Sequence, residues 1–116
     1  YRYHAELQAM QQELREFRTL DGKPYRLHAL PWPSARRLAD GTRLPASYAN
    51  FLVINGAVLL PVYDDPADDA AAAVLQTCFP QREIIPVPCL PLIRQFGSLH
   101  CLTMQFPKQV RFSNNC

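Results

Sequence analysis

A nucleophilic cysteine needs an approach path for substrate and surroundings that favour its thiolate. Cys101, in the run Gly97-Ser98-Leu99-His100-Cys101, is a candidate for both, because it follows the glycine-containing entrance of an expected strand. His100 is the obvious base, yet adjacent residues of a strand point to opposite faces. The run therefore predicts that His100 turns away from whatever Cys101 faces, and that a base for the thiol comes from elsewhere. A buried, inert thiol is the competing reading, and composition by itself favours it. Asp64, Asp65, Asp68 and Asp69 form a second cluster, suited to general acid chemistry or metal binding. Their place at the start of an expected helix favours the alternative, in which they cap the helix and complement its dipole. Arg36-Arg37 can steer an anion, but a solvated loop charge accounts for the pair as well.

These side chains must be carried by short, sharply punctuated elements. Leu7, Met10, Leu14 and Phe17 continue from Tyr3 at spacings of 4, 3, 4 and 3, which predicts an amphipathic helix over residues 3–17 packed against a sheet. Asp21-Gly22-Lys23 is expected to cap it. Residues 25–30 read as a strand running into Pro31-Trp32-Pro33, and residues 34–47 as a polar linking loop without periodicity. Two apolar runs flanking Asn55-Gly56 predict a hairpin with a two-residue turn. Asp64-Asp65-Pro66 then opens a helix over 66–78, with Ala70, Ala71, Val74, Leu75 and Cys78 facing inward and Phe79-Pro80 ending it. Residues 83–87 read as a strand whose prolines suit an edge, and 98–104 as a final strand. The division is a partial unit over 1–33, the loop, a complete ββαβ unit over 48–88, the cysteine strand over 97–105 and a tail over 106–116. Partial units flanking a complete one suggest a repeat architecture cut within a repeat.

The 116 residues, 48% apolar and 19% charged, supply one core. Twelve Lys+Arg against ten Asp+Glu leave a net charge of +2, too small a surplus for nucleic-acid binding. The apolar runs fall far short of the ~18 residues that cross a bilayer, so no membrane partner is expected. Eleven prolines are about twice the average usage of roughly 5%. Cys78, Cys89, Cys101 and Cys116 contain no C-x-x-C pair, which weakens both metal and disulfide readings. The chain opens Tyr1-Arg2-Tyr3-His4 without a signal peptide, so reduced thiols, a cytoplasmic setting and a piece of a longer polypeptide are expected. Homo-oligomerisation is left open.

Several motifs stand together in a familiar order: Pro45-Ala46-Ser47-Tyr48-Ala49-Asn50-Phe51, then Asn55-Gly56-Ala57-Val58-Leu59-Leu60-Pro61, Phe79-Pro80, and Gly97-Ser98-Leu99-His100-Cys101-Leu102-Thr103-Met104-Gln105. In these the chain resembles the agmatine deiminases, within the wider Porphyromonas-type peptidyl-arginine deiminase family. The resemblance covers nearly the whole chain. It implies an α/β fold, a partial pentein α/β propeller built of ββαβ units and roughly the last third of a five-blade ring. It implies Cys101 as nucleophile towards a small guanidinium substrate such as agmatine, Asn50 and Gly97 as substrate-binding positions, and no cofactor or metal. The family's general acid/base histidine and guanidinium-binding carboxylates belong to a His-x-Asp type motif that this sequence lacks; His4 and His28 have no such context. Phe96 stands where the family usually has glycine, which restricts backbone approach to substrate. Peptidyl-arginine deimination is the alternative activity, and a non-catalytic assembly module using open strand edges is the alternative class.

Overall fold

The computed structural model describes residues 4–110. Its centre is a three-stranded sheet, β1 (Leu52–Ile54), β2 (Ala57–Val62) and β3 (Glu83–Pro88), ordered β1-β2-β3. The two-residue turn at Asn55-Gly56 forms, with positive φ at Gly56 (+79°) and not, as expected, at Asn55 as well. It sets the antiparallel register Leu52↔Leu59 and Ile54↔Ala57. β3 returns parallel to β2, from Ala57↔Glu83 to Val62↔Pro88, after a crossover through a helix. Its two prolines sit on the sheet's edge, where a missing N–H costs least.

That crossover helix is Asp68–Cys78, and the helix near the start of the chain is His4–Glu16; they are α2 and α1 respectively. α2 begins two residues later than the sequence pattern suggests, because Pro66 and Ala67 are spent on a turn. Asp65 organises that turn: its carboxylate accepts from the Ala67 N–H at 3.0 Å and its carbonyl from the Asp68 N–H at 2.9 Å. Ala71 and Leu75 are the buried residues of the helix, and Phe79 ends it as expected. Ala70, expected to face inward, is exposed. The core gathers Val58 and Leu60 of β2, Ala71 and Leu75 of α2, and Leu44, Tyr48, Tyr63, Cys89, Ile93 and Leu99 from the connecting segments. Burying a side chain such as Leu60 or Leu75 is worth about 1.5–3 kcal/mol, so β2 and α2 fix the frame on which the loops hang.

Four expectations are corrected. α1 forms, but no residue of it is buried; Met10 and Phe17 of its apolar stripe are 51% and 58% exposed, and Tyr3 lies outside the described residues. Periodicity dictates a helix without choosing its partner, and the core is filled by loop residues instead. The helix ends at Glu16, so Gly22 (φ +78°) does not cap it. The glycine serves a turn that brings Arg18 back beside Pro24. Residues 25–30 form no strand: their alternation is weak, and they pair with no strand of the sheet. Residues 98–104 form no strand either; a 3₁₀ turn at His100–Leu102 takes their place.

The long loop stays irregular apart from a tight turn at Asp40-Gly41 that brings Arg37 opposite Arg43. Arg36 is not a free charge. Its Nη2 donates to the carbonyls of Tyr63 (2.7 Å) and Asp64 (2.8 Å) and lies 3.7 Å from the Asp65 carboxylate. No helix among the described residues is long and apolar enough to cross a membrane.

Candidate functional site

Two short turns bring the candidate residues together. The first is a 3₁₀ turn at Tyr48–Asn50, just before β1, whose entry is capped by the Ser47 hydroxyl accepting from the Ala49 N–H. The second runs from Phe96 to Leu102. Phe96 adopts φ +64° and closes the preceding 3₁₀ turn at Leu92–Gln95 through its N–H to the Ile93 carbonyl.

Asn50 joins the turns. Its Oδ1 accepts from the N–H groups of His100 (2.7 Å) and Cys101 (3.3 Å), and its Nδ2 donates to Cys101 Sγ at 3.2 Å. Capture of those two N–H groups is the physical reason that the segment curls into a turn. A strand would have spent the same donors on a ladder. The backbone amide of Ser98, and then the side-chain amide of Asn50, hold the thiol below the ordinary thiol range. Cys101 is exposed. An exposed sulfur that receives the Asn50 donor is poised for the thiolate, the form that attacks an electrophile.

Gly97 is buried against this turn. A Cβ there would lie 3.2 Å from the Cβ of Cys101 and 3.1 Å from the Gln95 amide nitrogen, so the glycine is set by close packing under the cysteine. Cys101, Asn50 and Gly97 thus form one cluster. His100 enters it through its backbone, and among the described residues no histidine ring bonds the sulfur. His4 lines a surface cleft with Leu7, Gln8, Gln11 and Trp32, and His28 another with Arg26, Thr77 and Cys78. An open cleft of about 720 Å³ adjoins Asn50, with Phe96, Trp32, Ser47 and Arg43 among its walls.

Two members of the acidic cluster, Asp65 and Asp68, are spent on structure. Asp68 accepts from the Tyr48 hydroxyl at 2.6 Å and from the N–H groups of Tyr63 (3.1 Å) and Asp65 (3.1 Å). Cys78, Cys89 and Cys101 are free thiols, while Cys116 lies outside the described residues. Among the described residues no group of three or more His, Cys, Asp or Glu is arranged to hold a metal ion. Sequence reasoning missed the support beneath the turns. Tyr63 and Ser98 are fully buried and share a 2.7 Å hydrogen bond, and no spacing rule marks a single tyrosine after a strand.

The chain has counterparts among solved deiminase structures. It superposes with a TM-score of 0.85 and 54% identity on a Porphyromonas gingivalis structure described as a putative arginine deiminase, covering 90% of this chain and 31% of that one. It also matches a C. jejuni agmatine deiminase, a cysteine-to-serine variant with substrate bound, at TM-score 0.70 and 38% identity, over 81% of this chain and 26% of that one. The chain belongs to the Porphyromonas-type peptidyl-arginine deiminase family, whose model matches residues 2–107. Among curated relatives, the agmatine deiminase of Pseudomonas fluorescens strain Pf-5 is 34% identical over 121 residues, covering 90% of this chain and 33% of that protein. The chain therefore spans about a third of the length of the curated relatives it matches.

Proposed function

We propose that this chain is the cysteine-bearing, C-terminal third of an agmatine deiminase, with its ββαβ unit as one blade of a five-blade pentein ring. The reaction converts agmatine and water to N-carbamoylputrescine and ammonia. The Cys101 thiolate adds to the central guanidinium carbon, ammonia leaves after protonation, and water releases the product from the amidino-thioester. A cationic substrate beside a thiolate is favourable, since each charge stabilises the other. Asn50 and Gly97 hold the reacting group and the turn that carries the sulfur. The histidine that moves the protons and the carboxylates that grip the guanidinium belong to other parts of the protein, so the 116 residues alone are inactive or nearly so. The protein acts in the cytoplasm, in putrescine formation.

The observation that carries this reading is Asn50, which donates to an exposed sulfur while its oxygen accepts from the His100 and Cys101 N–H groups of the same turn. Deimination of arginine in peptides is the second reading, favoured by 46% identity to a structure described as a putative peptidyl-arginine deiminase. The test measures ammonia release from agmatine and from arginine peptides by the whole gene product, beside its Cys101→Ser variant. Agmatine turnover that the variant abolishes supports the proposal. Peptide turnover without agmatine turnover selects the second reading, and agmatine turnover that survives Cys101→Ser removes the sulfur from the mechanism.

A further inference from the structure

The two turns of the site are fastened to each other by a buried hydroxyl that lies outside the proposed chemistry. Tyr63, 0% exposed, follows β2 directly. Its hydroxyl donates to the Ser47 carbonyl at 2.9 Å, receives the Ser47 N–H at 3.1 Å and meets Ser98 Oγ at 2.7 Å. A phenol has one proton and two acceptor sites. The Ser47 carbonyl can only accept, so it takes the tyrosine's proton, and the Ser98 hydroxyl must donate to the tyrosine oxygen. Every site on that oxygen is then filled. Ser47 caps the turn that ends in Asn50, and Ser98 lies in the Cys101 turn beside Gly97, which packs directly under Cys101.

We propose that Tyr63 is a positioning residue for Cys101: its hydroxyl locks Ser47 to Ser98, and so holds the Asn50 turn against the Cys101 turn with the Asn50 amide on the sulfur. This rests on the reading of Cys101 as a nucleophile. Tyr63 is itself fixed at its backbone, where its N–H bonds the Asp68 carboxylate and its carbonyl receives Arg36. The charged and titratable groups around it are Asp68, Arg36, Tyr48, whose ring centre lies 5.6 Å away, and the buried Cys89 thiol. Burial holds both the Tyr63 phenol and the Cys89 thiol above their ordinary values, so the network stays neutral while Cys101 titrates.

The test is residue-resolved alkylation of the whole gene product by iodoacetamide across pH, read by peptide mass spectrometry, with a free cysteine peptide as reference. Tyr63→Phe removes the hydroxyl and keeps the ring; Ser98→Ala removes the Tyr63–Ser98 link and keeps the backbone N–H. Each is expected to move the Cys101 profile upward towards the reference, with modification about threefold to tenfold slower at pH 7 and the plateau at high pH unchanged, the scale of one lost hydrogen bond. Ser98→Ala decides the matter if Tyr63→Phe does not fold. A wild-type profile below the reference that neither variant shifts overturns the positioning role while leaving Cys101 as nucleophile. A wild-type profile that coincides with the reference overturns both.

Discussion

Replacing Asn50 separates what it does for the fold from what it does for the sulfur. Asn50→Ala deletes the acceptor for the His100 N–H at 2.7 Å, the weaker one for the Cys101 N–H at 3.3 Å, and the donor to Sγ at 3.2 Å. A typical intramolecular hydrogen bond contributes about 0.5–1.5 kcal/mol, and water can reach part of this turn. The loss is therefore about 1–2 kcal/mol for the two backbone donors together. For a domain near this size each kcal/mol lowers Tm by roughly 4–8 °C, so circular dichroism should record a fall of about 5–15 °C. Asn50→Asp keeps the acceptor for both N–H groups and should melt close to wild type. It also exchanges the donor on the sulfur for a negative charge, which opposes the thiolate and raises the thiol's pKa. Alkylation of Cys101 at pH 7 should then be slowed in both variants, while only Asn50→Ala loses stability. An Asn50→Asp variant that alkylates as fast as wild type, or an Asn50→Ala variant with an unmoved Tm, refutes the assignment of those bonds.

The other predictions concern the frame. Asp68→Ala strips the acceptor from the fully buried Tyr63 N–H and from the Tyr48 hydroxyl; at about 1–3 kcal/mol per buried donor left unpaired, it should cost roughly 3 kcal/mol in urea unfolding. Burial first, and then the Asp68 carboxylate, raises the Tyr48 phenol above its ordinary value, so in this variant phenolate absorbance should appear at lower pH; an unchanged titration contradicts the contact. Phe96 occupies φ +64° with its ring 59% exposed, so burial offsets little of the strain. Phe96→Gly should raise the urea midpoint by a gain of up to about 1 kcal/mol, and a lowered midpoint shows that the ring is held by contacts worth more than the strain.

The elements legible in the sequence are those whose signal is local. The Asn55-Gly56 turn forms with positive φ at Gly56 though not at Asn55, the apolar spacing of Ala71 and Leu75 gives α2, and the prolines of β3 lie on the edge. What was illegible depends on partners. The stripe of α1 specifies a helix but not the surface it covers, and residues 98–104 carry a strand's composition. There the side chain of Asn50, about fifty residues earlier, takes the N–H groups a strand would use. The argument from strand geometry that His100 faces away from Cys101 fails with the strand. His100 and Cys101 instead share one acceptor through their backbones. The expected aspartate cap is not what forms: Ala67 stands at the N-cap of α2 without a side-chain cap bond, Asp65 bonds the turn before the helix, and Asp68 ties Tyr48 to Tyr63.

The turn and the site are linked by register. In the antiparallel pair set by Asn55-Gly56, Leu52 stands opposite Leu59. Continuing that register past the strand ends brings Tyr48 opposite Tyr63, and their rings are indeed neighbours. Ser47, one residue before, is thereby within reach of the Tyr63 hydroxyl, and Asn50, two residues after, reaches Cys101. A slip of one residue would turn each side chain of β1 to the other face and carry Ser47 and Asn50 away from their partners. The two-residue turn thus does more than reverse the chain. It sets which tyrosine braces which serine, and through them where the donor to the sulfur stands. The rigid pair β1–β2 supplies the precision, and the exposed turns at its open end supply access, which is the division of labour expected where a scaffold presents chemistry on loops.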